Sequence, residues 1–336
     1  MTQRAQGFSL VELMISITLG LLVLAVLGTI FANTSRSRGE LQKTSQQVDN
    51  GRYAVELLSE DLQLAGYFGE LNVAGVALPA ALPDLCSMAI DDWKAALPIH
   101  MQGYDAGAGA PSCMPASMKS GGDVVALRRV RTCIAGNAGC EALVGSQPYL
   151  QVGLCSATAN AYTLGIAADT AFSHTLKDCA TAAGRRRYET HIYFVATDNG
   201  SGAAIPTLKR LELNGSGYTE VALVEGIERM EVEYGIDTDG DGSPDVYTAD
   251  PSNFTYAGCT LCSAPANWSN VVTAKLHLLS RTLEPSAGYT DVKTYSLGLN
   301  AAGEPVTAGP FNDGYRRNVY TAAVRIVNPS ARRDAP

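Results

Sequence analysis

The chain begins with an abrupt change from polar to apolar residues. A short leader, Met1–Gly7, carries one positive charge at Arg4, and nearly every residue from Phe8 to Phe31 is apolar. These 24 residues would form about 36 Å of helix, which is enough to cross a hydrocarbon core of about 30 Å. The pattern therefore predicts a membrane-spanning helix over 8–31.

Glu12 is the only formal charge inside the apolar run. A carboxylate is costly in a bilayer, so we expect Glu12 to be compensated by a partner. A secretory signal peptide is disfavoured because its apolar region spans roughly 7–15 residues, and no A-x-A-like cleavage site follows Phe31. An ordinary signal anchor fits the length but leaves Glu12 unexplained.

A helical pattern continues after the apolar run. Apolar residues recur at spacings of seven, three, four and three at Val48, Val55, Leu58, Leu62 and Ala65. This periodicity predicts that an amphipathic continuation of the helix spans 32–66, ends at Gly66 and packs on a core. Glu56, Glu60 and Asp61 fall off the stripe.

The rest of the chain is predicted to form a β-rich head. Residues 67–120 show no clean period and are interpreted as irregular loops with short helices. Most of the later segments alternate apolar and polar residues, which is typical of strands with one buried face. The segments are Asp123–Val130, Tyr188–Val195, Leu208–Leu213, Ile227–Tyr234, Val271–Leu279 and Val319–Val327. We therefore predict an α+β fold, with an antiparallel sheet packed on the long helix.

Composition and charge limit the classes of function. With 46% hydrophobic and 17% charged residues, the chain is an ordinary globular one rather than a disordered tail. Its net charge of −8 becomes −9 without Arg4, which argues against nucleic acid as a partner. The only compact basic cluster, Arg185–Arg187, is predicted to be a solvated turn.

All eight cysteines follow the membrane segment. If the head leaves the cytoplasm, its compartment is oxidising and disulfides are expected. Pairing of neighbours, one of many possible connectivities, would join Cys86 to Cys113, Cys133 to Cys140, Cys155 to Cys179, and Cys259 to Cys262. The last pair also matches C-x-x-C, but its loop context favours a structural bridge over a redox site. Zinc is disfavoured because no histidine lies nearby.

An acidic loop is the second informative motif. Acidic residues fall at positions one, three, five and nine, Ser243 falls at position seven and Gly242 at position six. The acidic residues are Asp237, Asp239, Asp241 and Asp245. The pattern resembles the first part of an EF-hand loop and favours a structural Ca²⁺ site. Position twelve is Thr248, so the loop is not a full EF-hand, and an Asp/Gly hairpin whose carboxylates cap backbone amides is the alternative.

No motif indicates catalysis. The chain has no G-x-S-x-G and no G-x-x-x-x-G-K-[ST] sequence, so we predict a non-enzymatic protein whose assembly is powered by an external ATPase. The four histidines fall in different segments, at His100, His174, His191 and His277. They form no constellation of nucleophile, base and orienting group.

The segment Gly7–Leu13 resembles the cleavage and methylation motif of type IV prepilins and pseudopilins. It has Gly, then Phe, then Glu at the fifth mature position, followed by an unbroken apolar helix. The resemblance implies cleavage after Gly7 by a prepilin peptidase and N-methylation of Phe8. It also implies that Glu12 faces the N-terminal amine of a neighbouring subunit, an ion pair in which each charge needs the other.

Further segments resemble PilW, a family of minor pilins of type IV pili. They are 50–67, 223–237, 268–281 and 315–328, whereas the resemblance is weak from about 84 to 185. The resemblance implies a minor pilin at or near the pilus tip that helps to prime assembly. The alternatives are the J-type minor pseudopilins of type II secretion, which PilW resembles, and a membrane-anchored extracellular binding module.

The same resemblance implies an organisation and a location. The expected segments are the leader (1–7), the membrane and filament-core helix (8–31), its amphipathic continuation (32–66) and an extracytoplasmic head (67–336). The implied partners are other minor pilins, the major pilin and a pilus-tip adhesin, with prepilin peptidase as the processing enzyme. We expect a single-pass protein of the inner membrane that later enters the pilus at the cell surface.

Overall fold

The structure is a computed structural model that describes Gly7 and residues 9–105, 111–158, 160–256, 259 and 262–333. The chain divides into two units, Met1–Gln46 and Gln47–Pro336, and each is described by itself. The helices are α1 (Leu10–Leu64), α2 (Ile90–Ala95), α3 (Ala264–Ser269) and α4 (Val327–Arg333). Two short 3₁₀ helices span Val73–Gly75 and Ser156–Thr158.

The first unit consists of the N-terminal part of α1. Its apolar side chains, from Leu10 to Phe31, are exposed. In the part of the chain that the structure describes, α1 is the one helix long and apolar enough to cross a membrane. An exposed surface of this composition is unfavourable in water, so lipid or other apolar helices are its natural surroundings.

The second unit contains three antiparallel sheets. The strands in chain order are β1 (Met101–Tyr104), β2 (Val124–Val130), β3 (Pro148–Val152), β4 (Tyr162–Ile166), β5 (Arg185–Ala196), β6 (Thr207–Leu213), β7 (Tyr218–Glu225), β8 (Ile227–Ile236), β9 (Val246–Thr248), β10 (Val271–Arg281), β11 (Tyr295–Leu299), β12 (Pro305–Ala308) and β13 (Arg317–Arg325). A seven-stranded sheet has the order β1-β2-β5-β3-β4, with β6 on β5 and β7 on β6. A second sheet has the order β13-β10-β8-β9, and β11 pairs with β12.

The main core lies between the C-terminal part of α1 and the two larger sheets. Ala54, Leu58 and Leu62 of α1 join one buried cluster with residues of β1, β2, β5, β6, β8, β10 and β13. Gly51 permits the closest approach, because a Cβ added there would lie 2.2 Å from the ring of Tyr320. The predicted α+β class, a long N-terminal helix with an antiparallel head, is confirmed.

Disulfides close several of the connecting loops. The structure joins Cys86 to Cys113, Cys133 to Cys140, Cys155 to Cys179, and Cys259 to Cys262. All four bridges therefore join cysteines that are neighbours in sequence, and they leave no free thiol among the eight. Each bridge restrains a loop of the head, which limits the conformations of the unfolded chain.

Two local predictions are wrong. Asp61, which falls off the helical stripe, is nevertheless buried, because it contacts Arg129 and His191 of the sheet. Arg185–Arg187 begin strand β5 instead of forming a solvated turn, since Arg186 pairs with Glu70 and Arg187 donates a hydrogen bond to Gln147. The region 67–120 also contains a strand, β1, which was predicted as irregular.

Candidate functional site

The first turn of α1 holds Glu12, the lone charge of the apolar run. Its carboxylate Oε2 accepts a hydrogen bond from the backbone N–H of Ser9 at 3.0 Å, and the Ser9 hydroxyl accepts one from the Glu12 N–H at 3.3 Å. This reciprocal pair is a capping box, which satisfies donors left open at a helix N-terminus. The S-x-x-E spacing that is typical of this box is present in the sequence at Ser9 and Glu12.

Glu12 is the fifth residue after the predicted cleavage point in the sequence. Gly7 is exposed, whereas Phe8 lies outside the described residues. Among the described residues the side chain of Glu12 has one hydrogen-bond partner, the backbone N–H of Ser9. Its own backbone N–H donates to the Ser9 hydroxyl, and its backbone carbonyl accepts a hydrogen bond from the Ser16 hydroxyl. Cleavage after Gly7 and methylation of Phe8 remain predictions.

The acidic loop follows directly from strand β8. Oxygens of Asp237, Asp239 and Asp245 lie within 4.8 Å of one another, and Asp237 is fully buried. Asp237 accepts hydrogen bonds from the N–H groups of Gly240 and Gly242, at 2.6 and 2.9 Å. The strand end thus places three carboxylates where one cation could contact all of them.

The other two predicted ligands do not join this group. The Asp241 carboxylate accepts a hydrogen bond from the N–H of Ser243 at 2.7 Å, and neither residue belongs to the converging set. Asp245, which does belong to the converging set, accepts hydrogen bonds from the backbone N–H and the hydroxyl of Thr238. The loop therefore shows the amide-capping contacts of the alternative interpretation together with a three-carboxylate cluster.

A positively charged side chain of the protein contacts the acidic loop. A guanidinium nitrogen of Arg333, in α4, lies 3.1 Å from the Asp237 carboxylate. Burial alone would raise the pKa of Asp237, but the amides of Gly240 and Gly242 and the charge of Arg333 outweigh it and lower that pKa. Asp237 is therefore ionised at neutral pH, which is the form that binds a cation.

A buried ion cluster joins the second unit's part of α1 to its sheet. We define the helix–sheet ion cluster as Asp61, Arg129, Glu189, His191 and Tyr193. Asp61 lies 2.8 Å from Arg129 Nε, 2.5 Å from His191 Nδ1 and 2.7 Å from the Tyr193 hydroxyl. Arg129 also lies 2.8 Å from Glu189. One carboxylate of the helix thus contacts side chains of β2 and β5.

The electrostatics of this cluster favour the charged form of Asp61. Burial would raise the pKa of Asp61, but the hydrogen bond and charge of His191, followed by the charge of Arg129, hold that pKa far below its ordinary value. The sequence does not reveal this site, because the residues that contact Asp61 lie 68 to 132 positions from it along the chain. The only available signal was an acidic residue beside an apolar helical stripe.

The N-terminal motif, the exposed apolar helix and the antiparallel head define the class of protein, a membrane-anchored pilin-like chain. A family model for the prokaryotic N-terminal methylation motif matches residues 2–28. A second family model, described as Type IV Pilus-assembly protein W (PilW), matches residues 192–328. These matches confirm the resemblance to PilW, and the chain is a pilin-like protein related to type IV pili. No curated protein and no solved structure matches the chain.

The PilW match covers the part of the head from β5 to the start of α4. It therefore includes the acidic loop, β8, β10 and β13, but not the loops closed by the first three disulfides. The match leaves out 84–185, where the resemblance is weak in the sequence, and it also leaves out 50–67, so the resemblance predicted for that segment stays a prediction.

Proposed function

We propose that this chain is a non-catalytic minor pilin of the type IV pilus, incorporated at or near the tip, where it helps to prime assembly. The observation that carries the proposal is Glu12, a single carboxylate in the first turn of an apolar, exposed helix. Both family matches support it, because one covers residues 2–28, at the start of this helix, and the other covers residues 192–328 of the head.

The proposed role of Glu12 is to pair with the amine of a neighbouring subunit. A charge in an apolar filament core is stabilised only when its partner charge is present. The ion pair therefore favours a processed subunit docked in the filament over the same subunit alone in the membrane. Leader removal after Gly7 would supply the matching positive charge on this chain. The external ATPase of the assembly machinery would supply the energy.

The structure offers a second role for Glu12, helix capping, and the two roles are separable. Glu12→Gln keeps an oxygen that can complete the capping box but removes the charge. Ser9→Ala keeps the charge but removes the hydroxyl of the cap. We expect Glu12→Gln to abolish recovery of the chain in sheared pili, and Ser9→Ala to leave that recovery within about fivefold, because an exposed cap contributes only about 1 kcal/mol.

The measurement is quantitative mass spectrometry of sheared pili and of membranes from the same cells. Normal recovery of Glu12→Gln and loss of Ser9→Ala would show that Glu12 acts as a cap and would refute the ion pair. A mature chain that still begins at Met1 in a cell with active peptidase would overturn the pilin proposal. Reduced protein secretion with normal pili in a deletion strain would favour the pseudopilin alternative.

The remaining assignments follow from this function. We propose that the chain spans the inner membrane once with its head outside the cytoplasm, and then moves to the pilus. Other minor pilins and the major pilin would be its neighbours, and a tip adhesin would be a further partner. The acidic loop would bind Ca²⁺ in a structural role through Asp237, Asp239 and Asp245, since their carboxylates converge.

A further inference from the structure

Strand β13 forms an open edge of the four-stranded sheet. It pairs with β10 on one side, and in the described part of the chain no strand pairs with its other side. At nine residues it is the longest edge strand among those described. Its seven residues from Asn318 to Val324 carry no charge, and none is a proline.

The register shows which backbone groups face outward. The N–H of Ile326 donates to the carbonyl of Val272, and this pair continues the register in which Thr273 faces Arg325. Hydrogen-bonded pairs alternate in antiparallel sheets, so the even-numbered residues of β13 bond β10. The N–H and C=O groups of the odd-numbered residues, Val319, Thr321 and Ala323, therefore point away from the sheet.

These outward groups lack internal partners. Within the described residues no backbone or side-chain group hydrogen-bonds the N–H or C=O of Val319, Thr321 or Ala323. Thr321 and Ala323 are exposed. A row of such groups is a template for another strand, because only an extended segment can match their alternating spacing.

Other described edges of the larger sheets are protected. Strand β7, the next longest, carries Glu220 and Glu225, and its pairing with β6 contains an irregularity at Leu208. The edge strands β1, β4 and β9 have only four, five and three residues. Natural sheets protect long edges by charge, bulges or shortness. In β13 the charges lie only at the two ends, Arg317 and Arg325, and the seven residues between them use none of these devices.

We propose that the β13 edge is an assembly surface that accepts an extended segment of a different pilus subunit by β-strand addition. Beside the edge, Tyr320 and Ala322 are half-buried against the main core, whereas Thr321 and Ala323 face the opposite side. The partner segment is therefore uncharged at its centre, apolar on the side next to Tyr320 and small or polar on the other. This inference rests on the proposed function, which places the chain among other subunits.

The test uses two substitutions at Thr321 in the full chain. Thr321→Pro removes an outward N–H and breaks no bond to β10, so it is the kind of edge position where strands tolerate proline. Thr321→Val is the matched control: it keeps the N–H and the β-branched shape. Both variants lose the contact between the Thr321 hydroxyl and His277 Nδ1 at 3.3 Å, so their difference isolates the edge.

We expect the ratio of chain in sheared pili to chain in the membrane to fall about tenfold for Thr321→Pro relative to Thr321→Val, which corresponds to loss of one interchain hydrogen bond. Tryptophan fluorescence should give both variants the same unfolding temperature in detergent. If one variant is less stable, a photo-crosslinking residue at Ala323 in otherwise unchanged chain provides the test. It should join an extended segment of another pilus protein.

Equal ratios for the two stable variants would overturn the inference, as would a crosslink between two copies of this chain or no crosslink at all. The Glu12→Gln variant keeps the two proposals apart. If Glu12→Gln is excluded from pili while Thr321→Pro is not, the pilin function stands and the edge surface fails. If Glu12→Gln enters pili normally, the proposed ion pair fails, and the crosslink at Ala323 still reports on the edge.

Discussion

Substitution of Asp61 should weaken the packing of α1 on the sheet within the head. Asp61→Ala removes the carboxylate that contacts Arg129, His191 and Tyr193, and leaves those groups buried without it. Breaking a buried ion pair by removing one partner costs about 3–5 kcal/mol. Because Arg129 keeps Glu189 at 2.8 Å, we expect a loss in unfolding free energy near the lower end, about 3 kcal/mol.

The chain provides its own probe for this measurement. Its two tryptophans, Trp93 and Trp268, are both buried in the head, and the apolar helix has none. Tryptophan fluorescence of the full chain in detergent during a urea titration therefore reports unfolding of the head alone. A loss of 3 kcal/mol is a large share of the roughly 5–15 kcal/mol that stabilises a typical domain.

Glu60→Ala is the matched control. Glu60 precedes Asp61 in the same helix but is exposed, so its removal should change the unfolding free energy by less than about 0.5 kcal/mol. Equal small losses for the two variants would refute the reasoning, because they would show that the helix–sheet ion cluster contributes nothing net. The contribution of Asp61 to the unfolding free energy should also vanish in acid. Because the pKa of Asp61 is lower in the folded than in the unfolded chain, this contribution is fully present above the ordinary pKa of 3.8 and is lost progressively as the pH falls below it.

Two further predictions concern buried His100 and the acidic loop. Burial lowers the pKa of His100 to about 3 from its ordinary 6.5. The unfolded chain therefore binds more protons than the folded chain below pH 6.5. The unfolding free energy of the head should fall by about 1.4 kcal/mol per pH unit as the pH decreases toward 3. His100→Gln should reduce this slope in urea titrations at pH 7 and 4.5, and an unchanged slope would refute the assignment. Calorimetric titration of the full chain with Ca²⁺ should show binding. Asp239→Asn should abolish this binding, and Asp250→Asn should preserve it, because Asp250 lies outside the converging carboxylates. Absence of binding heat in the unsubstituted chain would contradict the calcium proposal.

Local patterns predicted the parts of the fold that local physics determines. The apolar run gave α1, and alternation gave β2, β5, β6, β8, β10 and β13 to within a few residues, because burial of one helix or strand face repeats at a fixed spacing. The short strands β1 and β9 carry too few residues for a period to be visible. Asp61 and Arg186 escaped prediction for another reason: their partners lie 130 and 116 residues away, and burial of charge depends on those partners rather than on neighbours.

The capping box at Glu12 and the proposed ion pair are compatible, and the geometry shows why. The contact with Ser9 uses one carboxylate oxygen, Oε2, whereas Oε1 has no hydrogen-bond partner among the described residues. An ionised carboxylate can accept several hydrogen bonds, so the cap can hold the side chain in place while Oε1 receives the amine of a neighbour. The cap therefore does more than satisfy the N-terminus of α1, because it also fixes the Glu12 carboxylate in the first turn before a partner subunit arrives. Less side-chain entropy is then lost when the partner docks. Ser9→Ala should accordingly weaken docking slightly by freeing the side chain, whereas Glu12→Gln removes the attraction itself.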